Sequence, residues 1–581
     1  MDDFTVRSGI RLPLSSLVRG FFGCSLFLIL TCRVGAGAEP GQKSSPSKST
    51  PDTLATTPET WMIGIGDSLT HGTMDATNNL INTLNAYFER VGISLATQIR
   101  VHFEQPLFSL GEERLEPFKV PTNLAVDGAD AFSVEGIQYF KRAGAPDSFV
   151  TVAYLSDKLR PDQLEDKYDK VMYPINLTAG RPVSQIGAAN WLVNRAGATG
   201  VAEAVVIMWA GNNDSSVAAL GAGGSNPEFQ PIPLAEIAPE IKPALRLLLE
   251  LGEESGAVSF EPYTQAALER NLTEASDFTE QYDHLLTRLE EETAASGVQV
   301  ERFLLTLPYY SAVGYLFDSD DLEFYLKKLD PTYSVPPTFK RVADPGQPIT
   351  DPFRGDRIAL LTFGFMYALL DSGHSVDYVN QVLELDGQQR DGLVLSEAEQ
   401  QFIISRIDGF NASIQALVAL HGPTFHLVAV GQFLNAGLGG GIEIVVGDKV
   451  LSRKWVRGSG FSLDGVHPSY TGQALVANFV LNAINQALAL SAPGYDLEVV
   501  LNSDPYVDVD GDGWAPGPDY SASGLTQLLF LFRDPDDSDA TMGPVLPDDV
   551  WDLISDILLQ EFLGISSLRE EARRKGLLST P

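Results

Sequence analysis

Short unbroken apolar runs, separated by longer stretches of helical periodicity, organise this chain. WMIGI (61–65), NLAV (123–126), AVVIMWA (204–210), RFLLTLP (302–308) and FHLVAV (425–430) are continuous rather than alternating. A strand has that pattern when both of its faces are covered, as in a parallel sheet flanked by helices. TEQYDHLLTRLEEETAASG leads into the fourth run, and LSEAEQQFIISRIDGFNASIQALVALHG leads into the fifth and ends on a glycine stop. VANFVLNAINQALAL (476–490) follows as an amphipathic helix. Strands alternating with helices predict an α/β fold built on a parallel sheet.

The spacing between these elements is uneven, so 215–275 and 315–395 are expected to be insertions in a domain spanning 60–490. The second insertion holds IALLTFGFMYALL (358–370), which falls short of the ~20 residues a bilayer span needs. It is expected to be a buried helix, with a lid or an acyl-binding wall as the alternative. GLGGGIEIVVGDKVLSRKW (437–455) predicts a glycine-rich turn and then a β-hairpin around Gly447-Asp448. Residues 491–581 are acidic and rich in Pro, Gly and Asp, and are expected to form a C-terminal appendage with short helices near 521–533 and 549–563.

The amino terminus adds a destination. Arg7, Arg11 and Arg19 precede the apolar run FFGCSLFLIL, and an A-x-A site follows at Ala36–Ala38. These features describe a secretory signal peptide over 1–38 and a secreted protein, extracellular or periplasmic. Lipoprotein anchoring through Cys32 is the alternative, but Thr31 and Arg33 flank that cysteine poorly for it. Residues 39–59, rich in Ser, Pro, Thr and Lys, are expected to be a flexible linker. Both cysteines, Cys24 and Cys32, lie in the leader. The mature chain would therefore have no thiol nucleophile and no thiolate metal site. The net charge of −36 argues against nucleic acid as a partner, since phosphate binding needs a basic surface.

Candidate chemistry starts at GIGDSLTHG (64–72), where Ser68 follows an apolar strand, the edge at which open α/β sheets bind ligands. Helix capping by Ser68 or Asp67 is the competing role. A nucleophilic serine needs a base, a group to orient that base, and donors for the oxyanion. SLDGVHPSYTG (462–472) offers Asp464 and His467 three residues apart in one loop, so that the carboxylate can hold Nδ1 while Nε2 faces the serine. WAGNNDSS (209–216) sets Asn213 at another strand end, and NLAVDGADAF (123–132) offers the Gly128 amide. The amides of Ser68 and Gly128 and the Asn213 side chain would make a three-donor oxyanion hole. His71 is expected in a surface turn, with a place in the pocket wall as the alternative.

In this order, GDSL, N-x-x-V-x-G, G-x-N-D and D-x-x-H-P resemble the GDSL or SGNH hydrolase family. Its four letters fall on Ser68, Gly128, Asn213 and His467, and its aspartate on Asp464. The resemblance covers the core elements between about 60 and 490. It implies a three-layer α/β/α sandwich with a five-stranded parallel sheet. It also implies ester hydrolysis through an acyl-serine, with no cofactor for catalysis and a small-molecule or lipid ester as partner. Ser68 and Asp464 are 396 residues apart, which makes the insertions the expected source of substrate choice. Carbohydrate O-deacetylation or acyl transfer at the same site is one alternative. A non-catalytic, calcium-dependent surface-binding protein is another.

VDVDGDGWAPGPDY is separate from that set. Asp508, Asp510, Asp512 and Asp519 fit positions 1, 3, 5 and 12 of a calcium loop, with Gly513 at position 6 and the Trp514 carbonyl at position 7. A structural calcium ion is the expectation, and a solvated acidic turn is the alternative.

Overall fold

The computed structural model describes residues 59–139, 155–164, 166–220, 240–248, 268–269, 271–384, 394–439, 441–564 and 572–576. The expected signal peptide, nearly all of the linker and much of the first insertion lie outside them. The protein is α/β. Its central sheet holds β1 (Glu59–Gly66), β2 (Arg100–His102), β3 (Glu203–Trp209), β4 (Gln299–Leu305) and β5 (Phe425–Val428), all parallel, in the spatial order β2-β1-β3-β4-β5. Seven of the eight β1 residues are buried. β1 and β3 pair from Thr60–Glu203 to Gly66–Trp209.

Four of the five strands grow from the apolar runs, but the second does not. The place beside β1 goes to Arg100–His102, which pairs with Glu59–Trp61. Residues 122–126 run along the far half of β1 through Gly64 N–H to the Thr122 carbonyl (2.9 Å), Leu124 N–H to Gly64 (2.9 Å) and Val126 N–H to Gly66 (3.1 Å). Only an isolated Gly64–Asn123 bridge forms there. Asn123 accounts for the break, because its Oδ1 accepts from the Ala125 amide at 3.2 Å and its Nδ2 reaches Thr70 and Gln105, both at 2.8 Å. A side chain that bonds the amide two residues on competes with a ladder. β2 escapes a search for apolar runs because it is an edge strand of polar and half-exposed residues.

Two groups of helices pack beside the central sheet. Tyr87–Leu95 packs on Tyr470–Leu488, and Ala275–Glu291 packs on Glu397–His421 and Gln185–Ala198. The Glu397–His421 helix begins at a capping box, Ser396 with Glu399, and stops at Gly422 with φ 99°. The Gly447 hairpin forms between Ile444–Val446 and Lys449–Leu451, with Gly447 at φ 60° in the first turn position.

Within 315–395, Leu316–Phe317, Arg357–Ala359 and Val394–Leu395 form a small antiparallel sheet. Leu360–Asp371 is a buried helix, as its composition requires, although Ile358 and Ala359, the first two residues of the apolar run, belong to that sheet. Phe317, Tyr325, Phe363 and Trp455 build a second core, joined by Trp514 and Phe532 from beyond residue 490. The C-terminal region is thus packed into the molecule rather than appended to it, and the described residues fall in one compact unit. Among the described residues it holds the helices Leu497–Leu501, Leu525–Phe530 and Val550–Gly564. Among the described residues, no helix is long and apolar enough to cross a membrane.

Candidate active site

The chain enters the sheet at β1 and then places β2 on one side and β3 on the other. The gap between the carboxyl ends of β1 and β3 is therefore the topological switch point, where open sheets leave a crevice. Ser68 follows β1 and Asn213 follows β3.

Gly66, at φ 152°, lets the chain leave β1 against its neighbour. A Cβ there would lie 2.4 Å from the Trp209 carbonyl oxygen. Gln185 clasps the same peptide, accepting from Gly66 N–H and donating to Gly66 O, both at 2.9 Å. Ser68 opens a four-residue helix, and the cap is Asp67, whose Oδ1 accepts from Leu69 N–H at 3.0 Å. The capping alternative therefore belongs to Asp67 and leaves the Ser68 hydroxyl free. Among the described residues, neither that hydroxyl nor the Ser68 amide has a protein partner, and the Gly128 amide (φ 73°) has none either. Burial raises the Asp67 pKa to about 7, although Asn212 Nδ2 donates to its Oδ2 at 2.8 Å.

Asn213 Nδ2 donates to the Ala129 carbonyl at 3.0 Å, which leaves one amide hydrogen without an acceptor among the described residues. The neighbouring Asp214 accepts from Ala131 N–H at 2.8 Å and from Thr273 Oγ1 at 2.6 Å. Together they fasten the Gly128 turn to the end of β3.

His467 Nδ1 lies 2.7 Å from Asp464 Oδ2. Asp464 Oδ1 accepts from the amides of Val466 and His467, at 2.8 and 2.9 Å, and Oδ2 also accepts from Ala76 N–H at 2.8 Å. Burial alone would lower the His467 pKa, but the Asp464 carboxylate outweighs it and holds the imidazole above its ordinary value. The same pairing keeps Asp464 below the usual carboxylate range despite its burial.

Ser68, Gly128, Asn213, Asp464 and His467 all line one cavity of about 700 Å³. Leu360 and Leu361 from the second insertion, Leu434 and Leu438, and Leu525 and Leu529 from beyond residue 490 give it apolar walls. The buried 360–371 helix thus also supplies wall. Tyr309 and Tyr310 line the cavity too, and the Tyr310 hydroxyl donates to Asn212 O at 3.0 Å.

His71 departs from expectation. Its side chain is fully buried, makes no hydrogen bond among the described residues, and lies 3.6 Å from Asp127. Burial lowers its pKa to about 4, which favours the neutral imidazole. The turn it occupies is closed over by Phe108, 5.2 Å away ring to ring.

Sequence reasoning also missed Asp75. This buried residue, at φ 55°, accepts from Leu463 N–H at 2.9 Å, from the Tyr506 hydroxyl at 2.7 Å and from the Tyr520 hydroxyl at 2.9 Å. Its own amide donates to Ser462 Oγ at 3.1 Å. Asp75 therefore joins the segment after Ser68, the Asp464–His467 loop and the C-terminal region. No local motif marks it. Asn212, which orients Asp67, had only the Asn-Asn doublet as a signal.

In the acidic loop, Asp508, Asp510 and Asp537 form one close group, and Asp510, Asp512 and Asp534 form another. Asp519 is exposed and belongs to neither. Trp514 donates its amide to Asp512 at 2.8 Å and sends its ring into the second core, while Ala515 bridges to Arg533. The chain thereby leaves the loop before position 12, and Asp534 and Asp537 arrive in place of Asp519. Burial, with neighbouring carboxylates, pushes Asp512 and Asp537 up to about 6.

No model of a known protein family, no curated protein and no solved structure matches the chain.

Proposed function

We propose that this protein is a serine hydrolase that cleaves carboxylic esters, with Ser68 as nucleophile. One observation carries the reading. An unengaged serine hydroxyl, an imidazole held 2.7 Å from a buried carboxylate, and donors without protein partners converge on one cavity.

His467 takes the Ser68 proton as Oγ attacks the acyl carbon, and Asp464 balances the imidazolium that forms. The amides of Ser68 and Gly128 and the free Asn213 hydrogen hold the oxyanion. His467 then protonates the leaving alcohol, and a water activated by the same imidazole releases the acid. The likeness of the four motifs to GDSL/SGNH hydrolases supports this chemistry. The two helix groups beside an all-parallel sheet support that family's three-layer sandwich. The reading includes secretion after signal-peptide cleavage.

The leucine walls favour a lipid or other long-chain ester over carbohydrate O-deacetylation, since an acetyl group leaves such a surface unused. A fluorophosphonate probe is expected to label the wild type and not Ser68→Ala. Labelling that persists in that variant, or is absent from both, overturns the hydrolase reading, and absence from both favours a non-catalytic binder. On p-nitrophenyl esters, octanoate is expected to exceed acetate in kcat/KM. The reverse order would sink the lipid version alone.

A further inference from the structure

Three acidic groupings in the described residues bring ligand oxygens within 4.8 Å of one another. Their surroundings differ. Asp318, Asp320 and Asp321 face Arg453, Lys454 and Arg457, with Lys454 Nζ 3.0 Å from Asp318 and Arg457 Nη2 2.8 Å from Asp321. That grouping is neutralised by the protein itself and fastens the Ser319–Leu326 helix to the segment before the His467 loop.

The other two, which share Asp510, have no such partner. Among the described residues, no Lys, Arg or His forms an ion pair with Asp508, Asp510, Asp512, Asp534 or Asp537. The nearby Lys449 Nζ bonds the Asp508 carbonyl instead, and Arg533 donates to the carbonyls of Pro516 and Gly517.

Asp534 sharpens the contrast. It is 5% exposed, and its Oδ2 is buried without a hydrogen-bond partner, as is Asp510 Oδ2 beside it. The opposite oxygen of each is held by a backbone amide, Asp536 N–H at 2.9 Å and Asp512 N–H at 3.0 Å, which fixes the carboxylates in place. A buried carboxylate oxygen without a donor is costly, and more so beside another of the same charge.

We propose that Asp510, Asp512 and Asp534 hold a calcium ion, with Asp508 and Asp537 completing the acidic cradle around the shared Asp510. Calcium takes oxygen ligands at roughly 2.3–2.6 Å, so ligands across one shell stand about 5 Å apart, which suits the observed spacing. The loop has the matching turn. Gly513, at φ 95°, donates to Asp508 Oδ2 at 2.7 Å, and a Cβ there would strike Phe324.

The ion would tie 508–512 to 534–537, two ends of the segment that supplies Tyr520 and Thr526 to Asp75, with Tyr506 just ahead of it. The site therefore sits where it can brace the 462–467 loop from behind. This holds whether or not Ser68 is a nucleophile.

Terbium tests the proposal on the full chain after chelator treatment, because Trp514 is placed to sensitise its emission. Terbium is expected to give saturable emission that calcium displaces. Asp534→Asn should weaken binding at least about tenfold, and Asp519→Asn should leave it unchanged. Calcium should also raise the Tm of the wild type and slow hydrogen exchange in 462–467. Where Asp534→Asn does not fold, Asp510→Asn replaces it, and the wild-type melt stands alone. No saturable emission together with a Tm indifferent to calcium overturns the site. Binding lost with Asp519→Asn but kept with Asp534→Asn overturns this ligand set.

Discussion

Asp464→Asn isolates what the carboxylate does for His467. Each oxygen of Asp464 accepts two N–H groups: Oδ1 from Val466 and His467, and Oδ2 from Ala76 and His467 Nδ1. An asparagine turns one of those acceptors into a donor, so either amide orientation sets its hydrogens against two others. With the amide nitrogen toward Nδ1, the ring must also take the wrong tautomer for a base. The charge is lost in both orientations. A hydrogen bond to a charged group contributes about 1.5–3 kcal/mol, and a buried opposed donor adds about 1–3 kcal/mol. A total near 3–5 kcal/mol corresponds to a fall in kcat of roughly 10²–10⁴.

The pH profile carries the second readout. His467 must be neutral to act as a base, and Asp464 holds its pKa up, so wild-type activity rises as pH climbs through that raised value. Without the carboxylate, burial dominates and the acid limb moves to lower pH. Ester hydrolysis measured as kcat/KM against pH, with fluorophosphonate labelling rate as a parallel measure, checks both. An acid limb that stays in place with activity within tenfold of the wild type would refute the pairing as the source of basicity.

Three further outcomes follow from the same geometry. Asn213→Ala removes one oxyanion donor and is expected to lower kcat about 10²–10³-fold with a smaller change in KM, read by steady-state kinetics. Gly66→Ala drives a Cβ to 2.4 Å from the Trp209 carbonyl and is expected to cost about 1–3 kcal/mol, seen as a lower Tm. Burial raises the Asp75 pKa to about 7, so the native state keeps a proton that the unfolded chain releases. That stability is complete below about pH 4 and is lost as pH rises through about 7. Asp75→Asn cannot titrate, and its Tm should fall less than that of the wild type between about pH 5 and 8.

Much of the fold was legible in local patterns. Buried parallel strands must be apolar on both faces, which is why β1, β3, β4 and β5 stood out, and why the edge strand β2 did not. The 397–421 helix carried its own capping box and glycine stop. The Asp464–His467 pair was legible because three residues in one loop are enough to bring Nδ1 to a carboxylate.

The chain by itself determined which side chains are candidates for chemistry and which strand ends they follow, because residue type and short-range spacing are local properties. Only the tertiary structure decided who acts as cap and who stays free at Asp67-Ser68, since that depends on Asn212 arriving from β3. It alone buried His71, turned the C-terminal region into cavity wall and brace through Leu525, Tyr506 and Tyr520, and brought Asp534 rather than Asp519 beside Asp510 and Asp512. Those outcomes rest on contacts between residues dozens to hundreds of positions apart. Such contacts are selected by packing and by the need to partner buried polar groups, which no short stretch of sequence encodes.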